Sequence, residues 1–594
     1  MLPSAPSWFL VLADGPGAEI VADRVRAEYG SVREISHPSG RPWIIGHWEE
    51  SEVAVFRGRD EACAAIGEHD MPPGRLDGLG AELFGRATAS APGSFHVIGS
   101  RPGRVRVRGT ASGLRRVFHA VVDGVRVASD RADVLATLAR AEIDRQQLAL
   151  LLLYVVPWPL PFRSVWSSIE VVWPGHTLEI DHHGHAAQHR WWRPPAAELT
   201  LAEGAELLRA RLREAVELRT AGKRRVASDL GGVDSTALCS LAARSGAEVV
   251  AITATSPDDL DDDIRWARDT VAGLGSVEHV VVGADELPLT YDGIRTTDDR
   301  FDEPCIVQVN KAKLEAVCHR SVDLDTQIRF VGFGGDEILR VSWGWLHATV
   351  RRDPLTAIRT ARRWSAKHKY PLWRVGMRMA GYKSYREHLT DIADNIVSTP
   401  AWAPDPAINW GFGIISPPWL TTGASETVRD AIRECAKDAE PLAQDRGLHQ
   451  TLEQLHGVAR GARLCQQFAR RIGVPIAAPY LDDSVVGAAL SVRPPERVDT
   501  GRYKPLLAEA MAGIVPETSR HRGTKANTSA GVARGLRRHR GDILALLENS
   551  RLAELGIIDS AAVRDLCAQP LLIDKHRASL DLTIAVEAWL RGET

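Results

Sequence analysis

The sequence predicts an α/β + α+β protein: a β-rich sandwich domain comes first, then a doubly wound parallel-sheet domain with a large helical part. Three observations lead to this class. Short apolar runs separated by Gly, Pro and Asp occupy residues 1–195. Between about residues 200 and 340, strand-like runs alternate with helix-like runs, which is typical of a parallel sheet. From about residue 342 onward the periodicity is helical, without a series of strands.

Length and composition indicate a globular protein with more than one domain. A chain of 594 residues is too long for a single core, and we place the two domains at 1–195 and 196–594. The hydrophobic fraction of 44% and the charged fraction of 25% are ordinary for a soluble protein. A net charge of −3 gives no bulk attraction to nucleic acid or to a membrane, so we expect neither as a partner.

Cysteine usage and the apolar runs bear on location. The seven cysteines lie far apart with no CxxC pair, which argues against a disulfide framework or a zinc site and suits the reducing cytoplasm. The start of the chain, Met1–Trp8, does not have the pattern of a signal peptide. The longest apolar run, Leu148–Phe162, holds three prolines and is shorter than a membrane span. We therefore expect a cytoplasmic protein.

The first domain is predicted to contain short strands, two helices and an exit linker. The strand-like runs are 9–12, 43–46, 52–56, 94–98, 104–108, 117–122 and 125–128. Helices are predicted over 130–138 and 144–154, and a turn with a further strand over 173–180. The tryptophan- and proline-containing segment 191–195 is predicted to end the domain.

The second domain is predicted to open with a helix over 201–218 and to continue as alternating strands and helices. Its strand-like runs are 225–227, 249–253, 278–282 and 328–331, and a further helix is predicted over 262–274. Ligands of doubly wound sheets bind beyond the carboxyl ends of the strands. We therefore look for the functional site in the loops that follow these strands.

The first such loop is Ser228-Asp-Leu-Gly-Gly-Val-Asp-Ser-Thr236. Gly231 and Gly232 let the backbone approach a ligand closely, and the start of the next helix favours an anion. Asp234 offers a carboxylate for a hard cation, and Ser235 offers a hydroxyl for phosphate oxygens. An acid beside an anion site indicates Mg²⁺ between them, so we interpret the loop as a pyrophosphate site. Thr253, at the end of the next strand, is assigned to the same nucleotide site.

The second loop is Gly332-Phe-Gly-Gly-Asp-Glu337, directly after the fourth strand. In a doubly wound sheet this loop can lie beside the first one. Asp336 would then hold the same Mg²⁺ as Asp234 from the other side, with Gly332 close to the nucleotide.

The two loops, about a hundred residues apart, resemble those of the asparagine synthetase / β-lactam synthetase superfamily, whose members carry an ATP pyrophosphatase (adenine nucleotide α-hydrolase-like) domain. Further matches follow in the family's order: Asp262-Asp263 with Ala267-Arg268, Asp302-Glu-Pro304, Pro479-Tyr-Leu-Asp482 and Gly501-Arg-Tyr-Lys-Pro-Leu-Leu507. Together they cover most of residues 200 to 530. The first domain is similar to the family's glutaminase (Ntn-type) domain.

The resemblance implies ATP and Mg²⁺ as cofactors and assigns roles to several residues. Lys504 would stabilise the transition states of adenylation and acyl transfer. Lys525, or Arg522 near it, would hold pyrophosphate. Phe333, Asp302 and Glu303 would belong to the substrate pocket, where Asp302 and Glu303 would serve either as scaffold or in the chemistry.

Three positions depart from the family's pattern. A working glutaminase of the family uses a cysteine at position 2, where this sequence has Leu2, and the nearest cysteine is Cys63. An alkyl side chain cannot act as a nucleophile, so we expect no ammonia release. Leu230 replaces the serine of the phosphate loop, which removes one hydroxyl. Phe333 stands where asparagine synthetases have glutamate and β-lactam synthetases have tyrosine, so neither base is present.

An inactive glutaminase domain joined to an intact synthetase domain is similar to lasso peptide cyclases, the macrolactam synthetases of one class of ribosomally made, modified peptides (RiPPs). The resemblance implies adenylation of an Asp or Glu side chain of a leader-freed core peptide, followed by attack of the peptide's N-terminal amine. A leader peptidase and a leader-recognition protein would be partners. Two alternatives stay open: another ATP-dependent amide synthetase (β-lactam synthetase-like, or an ammonia-dependent asparagine synthetase), or an inactive peptide-binding scaffold.

Overall fold

The computed structural model describes residues 7–71, 88, 91–255, 262–296, 301–396, 408–411, 414–499, 501–520, 522, 529–568 and 570–592, with side chains except at 529, 530 and 570–575. In this part of the chain an antiparallel sandwich precedes a parallel sheet that is surrounded by helices. The segment between the last sandwich strand and residue 200 joins the two regions.

The N-terminal region is β-rich, as predicted, and holds two six-stranded antiparallel sheets. Its strands are β1 Trp8–Leu12, β2 Arg33–Ser36, β3 Pro42–His47, β4 Val53–Arg57, β5 Ala62–Glu68, β6 Ser94–Arg101, β7 Arg104–Arg108, β8 Val117–Val122, β9 Val125–Ser129, β10 Glu170–Val172, β11 His176–Asp181 and β12 Ala186–Arg190. Its helices are α1 Gly17–Tyr29, α2 Ala132–Ala139 and α3 Arg145–Leu151. The strand orders are β10-β8-β9-β1-β3-β2 and β12-β11-β7-β6-β5-β4.

Strand β1 shows how the sandwich is built. Its side chains alternate between the two faces of the sheet, as in any strand. Phe9 and Val11 pack toward the second sheet, against residues such as Ile98 and Val107. The other face of β1 carries Leu10 and belongs to the large core that continues through the rest of the chain. Both faces are therefore covered, which explains why β1 reads as an uninterrupted apolar run rather than as an alternating one.

Helix α1 was not predicted from the sequence, although its signal is present. Ala18, Val21, Ala22 and Val25 recur at helical spacing and are buried. The small alanines make this stripe weakly hydrophobic, and charged residues fill the remaining positions of the helix. The stripe becomes significant only when it packs on the outer face of the first sheet.

The second region contains a five-stranded parallel sheet. Its strands are β13 Arg225–Asp229, β14 Glu248–Ala254, β15 Val277–Val282, β16 Arg329–Phe330 and β17 Ile476–Ala477, in the order β15-β14-β13-β16-β17. The helices within this part are α4 Leu201–Thr220, α5 Val233–Ala242, α6 Asp263–Leu274, α7 Lys311–Asp323 and α8 Gly335–Leu339. Strands β13 and β16 are direct neighbours, so the loops that follow them leave the same edge of the sheet side by side.

The remaining helices surround this sheet and extend from it. They are α9 Trp345–Arg352, α10 Pro354–His368, α11 Leu372–Ala380, α12 Tyr385–Asn395, α13 Thr422–Asp438, α14 Arg446–Ile472, α15 Asp483–Leu490, α16 Pro505–Ala510, α17 Glu517–Arg520, α18 Ser529–Arg538, α19 Arg540–Glu548, α20 Arg551–Glu554, α21 Ser560–Cys567 and α22 Pro570–Gly592. Among the described residues, none of the helices combines the length and the apolar character that crossing a bilayer requires.

Candidate active site

Both glycine-rich loops open onto one cleft of about 610 Å³ at the carboxyl edge of the parallel sheet. The first loop contributes Gly231, Gly232, Asp234 and Ser235 to its wall. The second loop contributes Gly332, Phe333 and Asp336. The structure thus brings together most of the residues that the sequence singled out, and it does so because β13 and β16 are adjacent.

Lys504 lies between the carboxylates of the two loops. Its Nζ is 2.6 Å from Asp234 Oδ1, 2.5 Å from Asp234 Oδ2 and 2.9 Å from Asp336 Oδ1. The Lys504 side chain is almost completely buried, at 1% exposure. Tyr503 donates a hydrogen bond of 3.1 Å to Asp336 from the adjacent position. The ammonium is thus a buried cation fixed by the two acids, one of which also binds Tyr503.

The backbone of Lys504 has a left-handed conformation, with φ 50° and ψ 61°, immediately before helix α16. Residues other than glycine rarely adopt this conformation, and such strain tends to persist where function requires it. Here it directs the side chain back toward the two acids.

The two loops touch so closely that glycine is required at their contact. A Cβ atom built on Gly335 would lie 2.5 Å from Asp234 Cγ, and one on Gly332 would lie 3.1 Å from Asp234 Cβ. Real Cβ atoms essentially never approach as closely as at Gly335, and the distance at Gly332 would be unusually short, so the absence of side chains at these positions lets the Asp234 carboxylate lie where it does.

Gly335→Ala is expected to reduce pyrophosphate release by tenfold or more, because the added methyl group pushes the Asp234 carboxylate out of place and misplacement by about 1 Å can cost about 100-fold. Steady-state assays of pyrophosphate release measure the effect. The matched control is Gly376→Ala in helix α11, where a new Cβ meets nothing within 4 Å. The control should gain stability by about 0.5–1 kcal/mol and keep full activity. Equal activity of both variants would show that the loop contact is dispensable.

The donors at the cleft suit a magnesium ion. Carboxylate oxygens are its preferred protein ligands, and one or two usually suffice because phosphates and water supply the rest. Asp234 and Asp336 are close enough to share a single cation, as their common contact with Lys504 demonstrates, and their side chains are 16% and 30% exposed. No cluster of three or more His, Cys, Asp or Glu with metal-binding geometry occurs among the described residues. The two carboxylates by themselves fit a Mg²⁺ ion whose other ligands are phosphate oxygens and water.

Leu230 and Thr253 contact each other at the first glycine-rich loop, and Leu230 also lines the cleft. Leu230 is buried, and its carbonyl accepts a hydrogen bond of 2.8 Å from the Thr253 hydroxyl. The same hydroxyl is 2.9 Å from His279 Nε2. The hydroxyl of Thr253 therefore holds the loop backbone, and the nucleotide contact predicted for Thr253 stays a prediction. Ser235 lines the cleft, with its hydroxyl donating to the Gly232 carbonyl at 3.0 Å.

Arg522 fixes the other side of the phosphate loop. Its guanidinium donates to the Gly231 carbonyl and pairs with Asp263 and with Asp262, the latter at 2.8 Å. The acid pair at the start of helix α6 therefore acts through Arg522 on the loop. Lys525, the alternative pyrophosphate ligand, lies outside the described residues.

Asp302 and Glu303 are not in the substrate cleft. Both are buried, at 0% and 4% exposure, among arginines from both regions of the chain. Asp302 pairs with Arg463, while Glu303 pairs with Arg116 of the sandwich at 2.7 Å and with Arg460 at 2.8 Å. Burial and pairing with arginines of both regions favour the scaffold alternative for these acids over a part in the chemistry.

The cleft also holds charged residues that sequence reasoning missed. Arg329 pairs with Asp229 at 2.7 Å, and both line the cleft. Lys313 of helix α7 lines the opposite wall, and burial lowers the pKa of its ammonium. Arg329 interrupts the apolar strand run 328–331, and a charged residue at that position could have indicated a functional role from the sequence. Lys313 belongs to an ordinary amphipathic helix and gave no signal of its own.

A parallel sheet with such a cleft places this region in the class of α/β proteins that bind ligands at the carboxyl ends of their strands. A family model described as asparagine synthase matches residues 207–591. This match covers more than half of the chain, so the chain belongs to the asparagine synthase family and is an ATP-dependent amide ligase.

No curated protein matches this chain. Among solved structures, a glutamine phosphoribosylpyrophosphate amidotransferase from B. subtilis complexed with ADP and GMP is 10% identical, with 51% of this chain and 84% of that chain covered and a TM-score of 0.21. An allosteric regulatory enzyme of purine biosynthesis is 11% identical, with 52% and 78% covered and a TM-score of 0.21.

Proposed function

We propose that this chain is a lasso peptide cyclase. It would adenylate an Asp or Glu side chain of a leader-freed core peptide and join it to the peptide's N-terminal amine, with release of AMP and pyrophosphate. ATP is the co-substrate and Mg²⁺ the metal, held by Asp234 and Asp336. A leader peptidase and a leader-recognition protein would act before it.

The observation that carries this proposal is the contrast between the two regions. The synthetase cleft has its lysine and both acids in mutual contact. The sandwich has a single cysteine, Cys63, which is buried at 3% exposure, and burial raises the pKa of its thiol to about 12. A protonated, buried thiol does not attack glutamine. The nitrogen of the new amide would therefore come from an amine substrate or from free ammonia, which favours a cyclase over a glutamine-dependent synthetase.

The first chemical step activates the acid. The substrate carboxylate attacks the α-phosphorus of ATP, the bond to the bridging oxygen breaks, and pyrophosphate leaves. Lys504 and the N–H groups of Gly231 and Gly232 would stabilise the charge that develops on the transferring group. Bound Mg²⁺ would neutralise the negative charge of the phosphate oxygens.

The second step forms the amide. The amine nitrogen attacks the carbonyl carbon of the acyl-adenylate, AMP leaves with the electron pair of the C–O bond, and the nitrogen loses its proton. Phe333 supplies no base, and an α-amino group needs little help. Its pKa is about 8, so about a tenth is neutral at pH 7. Holding the amine near the carbonyl offsets far more than that shortfall.

The test supplies the purified full chain with ATP, MgCl₂ and synthetic peptides whose sequences come from short open reading frames beside the gene. We expect a product lighter by one water, with one AMP and one pyrophosphate formed per product. Peptides with an acetylated N-terminus, or with the acceptor acid replaced by its amide, should give no ring. Conversion of aspartate and ammonium to asparagine would instead support an ammonia-dependent synthetase. Absence of pyrophosphate with every substrate would leave only the peptide-binding scaffold.

A further inference from the structure

A second cavity, the interdomain chamber, lies next to the active-site cleft. It has a volume of about 420 Å³, and its wall comes from segments 151–162, 304–306, 453–460 and 582–586. The first of these segments belongs to the sandwich region and the others to the synthetase region. Ile306 lines both the chamber and the cleft, so the two cavities share a wall.

The wall of the chamber is mainly apolar, but Glu453 on helix α14 is one of the residues that line it. The Trp158 backbone N–H donates to Glu453 Oε1 at 3.0 Å. Burial raises the pKa of Glu453 to about 7, against the lowering effect of that hydrogen bond. An acid kept in an apolar cavity costs stability, and such acids occur where a ligand needs them.

The charged and titratable groups around Glu453 do not neutralise it. His449 and His456 lie on the same helix, and burial lowers their pKa values to about 3 and about 4. Burial also lowers the pKa of His388 in helix α12 to about 4. In the same helix, the Tyr385 hydroxyl donates a hydrogen bond of 2.6 Å to the Trp158 carbonyl. Arg460 pairs with Glu303. Near neutral pH, Glu453 is therefore the acid of this wall that can receive a positive charge.

We propose that the interdomain chamber binds the amine end of the substrate peptide, with the N-terminal ammonium on Glu453 and the first, apolar residues along the chamber wall. This inference rests on the proposed function, because it assigns a place to the amine that the reaction consumes. Charge complementarity and the shared wall at Ile306 support it. The acceptor acid would enter the cleft, and the amine would move past Ile306 to the acyl carbon for the second step.

The test is a double-mutant cycle between protein and ligand. Binding of the core peptide is measured by titration calorimetry on wild type and Glu453→Gln, once with a free N-terminus and once acetylated. We expect Glu453→Gln to weaken binding of the free peptide about tenfold, which is the usual size of a charge-assisted hydrogen bond. The acetylated peptide should bind both proteins equally. Weakening of both peptides alike, or of neither, would overturn the inference.

A second variant tests occupancy of the chamber itself. Gly457 lines the chamber, and a Cβ atom there would meet nothing within 4 Å, so Gly457→Leu fills space without a clash at its first atom. Both peptides should bind this variant at least tenfold more weakly. Unchanged binding would place the peptide elsewhere. Ring formation by the wild-type protein is measured separately. If the peptides bind as expected but no ring forms, the proposed function is contradicted and the binding site in the chamber is not.

The melting temperature of Glu453→Gln, measured at two pH values, shows whether this variant is correctly folded. Because the folded protein raises the pKa of this carboxyl, its ionised form opposes folding, and this penalty appears as pH rises above the ordinary value of about 4.3. Removing the carboxyl should therefore raise the melting temperature near pH 8 and leave it unchanged near pH 4.

Discussion

Lys504→Ala is expected to reduce pyrophosphate release by about 100- to 1,000-fold, because loss of one preorganised charged donor at a transition state costs about that much. In the folded protein this ammonium contacts both loop carboxylates and is fixed by burial. Its removal takes away the stabilising cation and leaves two acids facing each other. Pyrophosphate release under saturating ATP and MgCl₂ measures the loss.

Lys369 provides a matched control for Lys504. It is also a lysine with a positive φ, 57°, but it is exposed at the end of helix α10. Lys369→Ala should keep wild-type turnover. Comparison of the two variants therefore separates loss of the Lys504 ammonium from the general effect of replacing a lysine whose φ is positive. Turnover of Lys504→Ala within a few-fold of wild type, with an unchanged circular dichroism spectrum, would remove Lys504 from the mechanism.

Asp302→Ala is expected to lower the free energy of unfolding by about 3–5 kcal/mol, the usual cost of removing one partner of a buried ion pair. Asp302 is fully buried, and its loss leaves the buried guanidinium of Arg463 without its partner. Denaturant titration followed by tryptophan fluorescence measures the change. The surface pair Arg33–Glu50, in which the Glu50 side chain is 89% exposed, supplies the control: Glu50→Ala should cost less than about 1 kcal/mol.

The loss of stability in Asp302→Ala should depend on pH, and the direction follows from the lowered pKa of Asp302. Burial tends to raise the pKa of Asp302, but Arg463 and Arg131 outweigh burial and hold the pKa below its usual value. The stabilising contribution is therefore complete above the ordinary pKa of about 3.9 and is lost as pH falls through the lower, folded value. The deficit of Asp302→Ala should be largest near neutral pH and smaller in acid. Lost turnover with unchanged stability would instead favour a part in the chemistry for Asp302.

The sequence predicted the local features of the cleft well. The glycines, acids and hydroxyl of the two loops were identified from strand-to-helix turns, whose residue types are dictated by close approach to a ligand and by the charge at a helix start. Most strand runs of both regions were found because their apolar patterns are local. Helix α1 was missed because its apolar face consists of small residues.

Other features of the site depend on contacts between distant parts of the chain. Thr253 and Leu230 form a hydrogen bond at the first loop, and this contact follows from the pairing of β13 with β14. Glu453 was indistinguishable from any acid of an amphipathic helix until the sandwich region closed the chamber around it.

By itself, the sequence determined which residues can perform the chemistry, because a motif fixes residue types and spacing over a few positions. Only the tertiary structure decided where they meet. Lys504 reaches Asp234 across 270 positions of the chain, since neighbouring strands bring both loops to one edge and a left-handed residue turns the lysine toward them. The same folding buries Asp302 and Glu303 among arginines, because burial and ion pairing are set by what packs around a residue.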